Sequence, residues 1–262
     1  MRQIIETSGL DIGYKGKSLA SGLNLRLERG VVTALMGRNG VGKSTLIKTL
    51  TGHLKPLAGR ITIDGRPFEN LSRKNLSKLV SLVTNEADMT GGLRLSELVE
   101  LGRIPYTGAG GRLSASDRKV ILSALDTVGI AHKADSFVSE LSDGERQKGL
   151  IARGLVQDTP VIIMDEPFSC LDVASRLEML ALVITLARDR DKAILFSTHE
   201  VAEALRMVSR IWAFLPGKVE EGSADELIRG GVIDNLFDNP NVRYNRERQE
   251  FFLTYGKNLL QF

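Results

Sequence analysis

Apolar and polar positions alternate at the start of the chain. Ile4 to Ile12 reads as a strand, and Leu23, Leu25 and Leu27 alternate with Asn24, Arg26 and Glu28, the period of two expected of a half-buried antiparallel strand. After Gly30 the pattern becomes a nearly continuous apolar run, Val31 to Met36, which predicts a strand buried on both faces. A glycine-rich segment, Gly37 to Thr45, follows directly and leads into helical residues up to Gly52. Ile61-Thr62-Ile63, ahead of the Asp64-Gly65 turn, predicts a further antiparallel strand, and Val80 to Thr84 another buried one.

From Glu86 to about Pro160 the spacing changes: Leu95, Leu98 and Val99, then Val120, Ile121, Leu125 and Val128, fall at helical intervals, with glycine loops at Gly91-Gly92 and Gly108 to Gly111. Strand patterns return at Val161 to Met164 and Ala193 to Ser197, separated by a helix from Val173 to about Arg188, the alternation of a parallel α/β sheet. Ile211 to Leu215, Pro216-Gly217 and Lys218 to Glu220 predict a hairpin, and Ser223 is placed to cap a short helix. The last thirty residues read as irregular and charged. The expected fold is α/β: a parallel core sheet with an antiparallel β part at its N-terminal side and an inserted helical part. Residues 1–85 and 161–222 form the core in this reading, 86–160 the helical insert, and 223–262 a C-terminal extension packed on the core.

The 262 residues fit one large domain carrying a lobe. Lys and Arg total 35 against 32 Asp and Glu, interspersed rather than blocked, so the net charge of +3 gives no indication of nucleic acid as a partner. The longest unbroken apolar stretch, Met179 to Ile184, falls far short of the roughly 18 residues that span a bilayer. The opening residues lack the apolar core of a signal peptide, and the single Cys170 excludes an internal disulfide and suits a reducing compartment.

Chemistry concentrates at three places. Gly37 to Ser44 fits G-x-x-x-x-G-K-[ST] between a predicted strand and a helix, the context in which glycines let the chain curl so that N–H groups point inward at phosphate. Gly37, Asn39, Gly40, Gly42, Lys43, Ser44 and Thr45 are the candidate phosphate-binding set; Lys43 supplies charge and the Ser44 hydroxyl a ligand for Mg²⁺. Val161 to Met164 ends in Asp165-Glu166, where one carboxylate can hold the metal and the other polarise an attacking water. Alone, such a pair is more often a solvated strand end; beside a phosphate loop it becomes a candidate site. Third, Leu141-Ser142-Asp143-Gly144-Glu145 precedes a helical run and lies upstream of Asp165.

That third segment resembles the LSGGQ signature of ATP-binding cassette (ABC) ATPases. Further matches keep the family's order: Tyr14 ahead of the phosphate loop, Ser169-Cys170-Leu171-Asp172 as a D-loop, and His199 in Ser197-Thr198-His199-Glu200 as a switch histidine. The resemblance implies that ATP stacks its adenine on Tyr14, that Asp165 and Ser44 hold Mg²⁺, that Glu166 orients water, and that His199 bonds the γ-phosphate. It also implies a head-to-tail homodimer, in which Ser142 and Gly144 of one chain meet ATP held by the other. The Q-loop glutamine of the family is expected where Asn85 stands, one methylene shorter, with roles toward both Mg²⁺ and water. Asp143 and Glu145 also depart from the signature, and Glu145 is expected to pair with Arg146 or Arg153.

Ser96 to Tyr106 resembles the corresponding segment in ATPases of iron-siderophore, haem and cobalamin importers. This implies an ATPase on the cytoplasmic face of the plasma membrane, bound to separate permease subunits and indirectly to a substrate-binding protein. Met89, Leu93, Leu95, Leu98 and Ile104 are the candidate lining of a groove for the permease, although an apolar set at this spacing is more often core. An importer ATPase for another small solute is one alternative. A non-transport cassette is another, set against a single phosphate loop and no sustained heptads. A non-hydrolysing module is set against the presence of Glu166 and His199.

Overall fold

The computed structural model describes residues 3–84, 92–107, 111–237, 239, 241–245, 247–248, 250–255 and 258–260. Its centre is a six-stranded sheet in the order β11-β10-β4-β9-β8-β7. β4 (Val32–Met36), β7 (Val80–Thr84), β8 (Val161–Asp165), β9 (Ala193–Thr198) and β10 (Arg210–Leu215) run parallel, and β11 (Lys218–Gly222) closes one edge antiparallel through a hairpin.

The unbroken apolar runs of these strands are shared between two cores. Because neighbouring side chains point to opposite faces, Leu35, Val161, Ile163, Ala193 and Leu195 pack with the N-terminal sheet and helix α1 (Lys43–Leu50). Ala34, Met36, Ile162, Met164, Ile194 and Phe196 pack on the other face with helices α5 (Asp143–Val156) and α6 (Val173–Asp189).

The N-terminal sheet pairs β1 (Gln3–Tyr14) with β2 (Lys17–Leu23), β3 (Arg26–Glu28) and β5 (Ala58–Ile63), all antiparallel; β5 turns into β6 (Arg66–Pro67). The expected single strand through Leu23, Leu25 and Leu27 is in fact two, interrupted at Asn24 and Leu25. The Thr7 hydroxyl causes the interruption: it donates to the Leu23 carbonyl (2.9 Å) and accepts from the Leu25 N–H (2.8 Å), replacing ladder bonds. A hairpin with Lys15 and Gly16 both at positive φ leaves Tyr14 at the end of β1.

The short helix α2 (Arg73–Leu76) precedes β7, and between β7 and β8 lie α3 (Leu95–Glu100), α4 (Ala115–Thr127) and α5, joined by short 3₁₀ turns. Arg103 ties them together: it meets Asp117 at 2.7 Å, donates to the Val156 carbonyl at 2.7 Å and stacks on Tyr106. Two Ser114 hydrogen bonds, then Arg103, hold the Asp117 carboxyl down to about 2. After β9 come α7 (Val201–Met207) and, past the hairpin, α8 (Ala224–Arg229), capped as expected by Ser223.

The chain beyond α8 is not irregular. β12 (Val242–Asn245), β13 (Glu250–Tyr255) and β14 (Asn258–Leu260) form a small antiparallel sheet. Its apolar side is an aromatic cluster in which Phe251 sits 5.0 Å from both Phe237 and Tyr244. Leu236 and Tyr244 join the core. The charged residues that suggest disorder alternate with these anchors, so one face is wet and the other packed.

Candidate functional site

The phosphate loop leaves β4 and enters α1. Gly40 (φ +76°) and Gly42 (φ +125°) adopt conformations that side chains resist, and a Cβ on Gly42 would lie 2.9 Å from the Phe214 ring. Helix α1 therefore starts without a side-chain cap and has no acidic residue in its first turn, leaving its N–H groups available to an anion. The Lys43 side chain folds into the loop, donating to the carbonyls of Gly37 (2.8 Å) and Arg38 (3.3 Å), and is only 6% exposed. Burial lowers its pKa, opposed by the nearby carboxylates of Glu166 and Asp165.

Asp165 ends β8 and Glu166 begins the turn after it. Glu166 has φ +48°, a conformation that costs a non-glycine residue about 1–2 kcal/mol. A cavity of about 350 Å³ is lined by Leu19, Asn39, Gly40, Gly42, Lys43, Ser44, Thr45 and Glu166. One element thus supplies cation and N–H groups, another a carboxylate, across an opening sized for polyphosphate. His199 follows β9, with Nδ1 3.7 Å from Glu166 Oε2 and Nε2 3.6 Å from Glu200 Oε1. Ser197 Oγ donates to Asp165 Oδ1 at 2.6 Å and accepts from the Glu166 N–H at 2.8 Å.

The donor set suits Mg²⁺. Ser44 and Asp165 offer only hard oxygens, and among the described residues no cluster of three or more His, Cys, Asp or Glu could hold a metal alone. Mg²⁺ favours such a site, with one or two protein oxygens completed by substrate phosphates and water.

Tyr14 is 58% exposed, with the Lys15 ammonium 5.4 Å from its ring centre. Tyr14 does not line the loop cavity; Leu19, on the strand β2 paired with its own, does. Ser142 and Gly144 sit at the start of α5 and do not line the loop cavity. Ser142 caps the helix in a reciprocal box with Glu145: the Ser142 N–H and hydroxyl both bond Glu145 Oε2 at 2.9 Å, and Glu145 N donates to Ser142 Oγ at 3.3 Å. Those bonds, then Lys133 at 3.2 Å, lower the Glu145 pKa. The expected pairing of Glu145 with Arg146 or Arg153 is therefore corrected: Arg146 pairs with Asp143. Leu171 of the candidate D-loop lies against Gly144, and Asp172 caps α6 by accepting from the Ser175 N–H at 2.8 Å.

Asn85 and Met89 lie outside the described residues. Of the expected groove lining, Leu95 and Leu98 are fully buried core and Leu93 is partly buried, whereas Ile104 is 61% exposed. A cavity of about 560 Å³ lies nearby, bounded by the C-terminal end of α1, β7 and α5, with His53, Arg73, Thr84, Arg153 and Gln157 on its wall. Sequence reasoning misses Leu19 and Ser197. Leu19 carries no chemical signal; Ser197 carries one, a hydroxyl inside an otherwise apolar buried strand.

Comparison with known proteins agrees with this geometry. Residues 20–169 match the family described as ABC transporter. The chain is 33% identical over 254 residues to the iron(3+)-hydroxamate import ATP-binding protein of Bacillus subtilis, covering 96% of this chain and 94% of that one. It superposes on a metal-chelate type ABC transporter in an inward-facing conformation with a TM-score of 0.81 at 24% identity, covering 99% and 98% of the two chains. A dimeric bacterial ABC transporter cassette gives a TM-score of 0.74 at 26% identity, covering 84% and 99%.

Proposed function

Because the chain belongs to the ABC transporter family as its ATP-binding, ATP-hydrolysing subunit, we propose that it powers uptake of an iron-chelate, haem or cobalamin-type solute through a separate permease. The observation that carries the ATPase role is the convergence of buried Lys43, an uncapped helix start and Glu166 on one cavity beside Asp165.

In this reading the loop N–H groups and Lys43 hold the β- and γ-phosphates, and Tyr14 with Leu19 receives the base and ribose. Ser44 and Asp165 would hold Mg²⁺, which would neutralise phosphate charge. Glu166 orients a water for in-line attack on the γ-phosphorus and takes up its proton as the bond to the ADP oxygen breaks. His199, beside Glu166, donates to a γ-phosphate oxygen. Ser142 and Gly144 complete the site from a second copy, since within one chain they stand apart from the loop cavity. ABC ATPases dimerise and associate with permeases, and here Asn85 is assigned the Q-loop role.

The iron-chelate class is supported by the iron(3+)-hydroxamate relative, which matches nearly end to end. Among the described residues no helix is long and apolar enough to cross a membrane, which suits a subunit held at the cytoplasmic face by its permease. The cavity walled by Arg73 and Arg153 has no carboxylate among its described lining residues, and exposed Tyr106 adjoins it, its hydroxyl donating to the carbonyl of the wall residue Gln157 at 2.9 Å. We assign it to a cytoplasmic permease segment with an acidic side chain and an apolar face. Co-expression with candidate permease subunits of the iron-chelate importer class tests the reading: the two should co-purify, and phosphate release should rise when the solute and its binding protein are added to reconstituted vesicles. Phosphate release that ignores every iron chelate and corrinoid would overturn the substrate class.

A further inference from the structure

Ser197 is a fully buried hydroxyl in the penultimate position of β9. β9 lies between β4, which feeds the phosphate loop, and β8, which ends in the two carboxylates. A serine hydroxyl has one proton to give and lone pairs to accept with. Here the proton goes to Asp165 Oδ1 at 2.6 Å, and a lone pair takes the Glu166 N–H at 2.8 Å. Both bonds are short, and a single hydroxyl orientation makes them together. We propose that Ser197 is a positioning residue for hydrolysis: it fixes which Asp165 oxygen faces the nucleotide, and it pins the strained turn that aims Glu166 into the loop cavity.

Two observations support this beyond the distances. Glu166 sits in the left-handed region (φ +48°), so its backbone must be held by something outside itself. Ser197 Oγ accepts from the N–H of that residue, a hold that comes from the neighbouring strand. Asp165, with Oδ1 engaged by Ser197, can offer Oδ2 outward without rotating, so the carboxylate is pre-oriented before any metal arrives. Removing the hydroxyl would take its bond away from both the Glu166 N–H and Asp165 Oδ1, and so loosen the hold on the two carboxylates together. The proposal rests on the ATPase reading above, yet its binding measurement does not require turnover.

The test compares Ser197→Ala, Ser197→Thr and Ser197→Cys with the unaltered chain. Affinity for a fluorescent ATP analogue is measured with and without Mg²⁺, alongside kcat and KM for phosphate release. Without Mg²⁺, all four proteins should bind within about twofold of one another, because Lys43 and the loop N–H groups are untouched. With Mg²⁺, Ser197→Ala should lose most of the tightening that the unaltered chain gains, and its kcat should fall about tenfold at similar KM, the scale expected when a metal ligand loses its hydrogen-bond partner. Ser197→Thr keeps the hydroxyl and should recover most of both. Ser197→Cys keeps the volume but donates weakly, so it should follow Ala; it also carries the test if Ala proves unstable. An alanine variant with the Mg²⁺ effect and kcat intact would overturn the proposal. So would an equal loss of binding in the presence and absence of Mg²⁺ that threonine fails to restore, which would make Ser197 a packing residue. Failure of the unaltered chain to release phosphate would count against the ATPase reading, while the Mg²⁺-dependent binding would still decide the role of Ser197.

Discussion

The N-termini of α1 and α5 are assigned to the same triphosphate, one from each copy of the chain, and they are built in opposite ways. At α1, among the described residues, no side chain caps the helix start, no carboxylate stands in its first turn, and a buried ammonium lies beside it. At α5 the chain satisfies itself, with Ser142 and Glu145 capping each other and Asp143 adding a second carboxylate to the first turn. An uncapped start with a desolvated cation binds anions strongly, whereas a capped start with two carboxylates does so weakly. The difference separates two events. On the proposed assignment, nucleotide capture belongs to α1 and the loop and closure of two copies to α5, whose first-turn carboxylates, each paired with a cation, oppose it weakly until the rest of the interface compensates.

The sharpest way to break the comparison is at Lys43. Lys43→Ala should weaken ATP binding by on the order of 10²-fold or more, as expected for loss of a charge-assisted contact in a desolvated site, and titration calorimetry reads it directly. A loss of that size from any change at α5 would reverse the assignment.

Alkaline pH is a gentler probe of the same ammonium. Burial favours its neutral form, so in the free protein its proton leaves below the ordinary lysine range, and bound phosphates favour the charged form. ATP affinity should therefore begin to fall with rising pH before an ordinary lysine would titrate, by up to about tenfold per pH unit for one linked proton. Lys43→Ala should be flat over the same interval. An equal slope in both proteins would place the titrating group elsewhere.

The smallest effect should come from Glu145→Gln. Glutamine still closes the capping box but removes one carboxylate from the face that meets the partner's nucleotide. ATP-driven dimerisation should tighten about two- to fivefold, the scale of an exposed charge interaction, and the gain should shrink as salt rises. Weaker association would mean that the carboxylate assists closure.

Much of this contrast is legible in the residues alone. The phosphate loop and Asp165-Glu166 are local patterns in which neighbours along the chain do the chemistry, so the sequence displays them. The sheet strands are equally plain, since burial on both faces forces unbroken apolar runs such as Val161 to Met164. What the sequence hides is set by contacts distant along the chain. Ser197 gains its role from residues 31 and 32 positions away, and Leu19 from its place opposite the loop. The charge on Lys133 that claims Glu145 comes from the 3₁₀ turn after α4, Ala131–Lys133. The C-terminal sheet is missed because Arg243, Arg248 and Glu250 mask an alternation, Val242 with Tyr244 and Phe251 with Leu253, that pairing across the hairpin makes apolar on one side.

Sedimentation of Glu166→Gln tests the central claim, that one triphosphate is read by α1 of one copy and α5 of another. The substitution keeps the shape of the side chain while removing the carboxylate that orients water, so hydrolysis should fall on the order of 10²-fold or more and ATP should persist in the site. The protein should sediment as a monomer without nucleotide and as a dimer with ATP and Mg²⁺, and adding Ser142→Arg, which projects a long side chain from the start of α5, should return it to a monomer with ATP still bound. A Glu166→Gln protein that binds ATP and stays monomeric at every concentration, or a dimer indifferent to Ser142→Arg, would contradict the shared site.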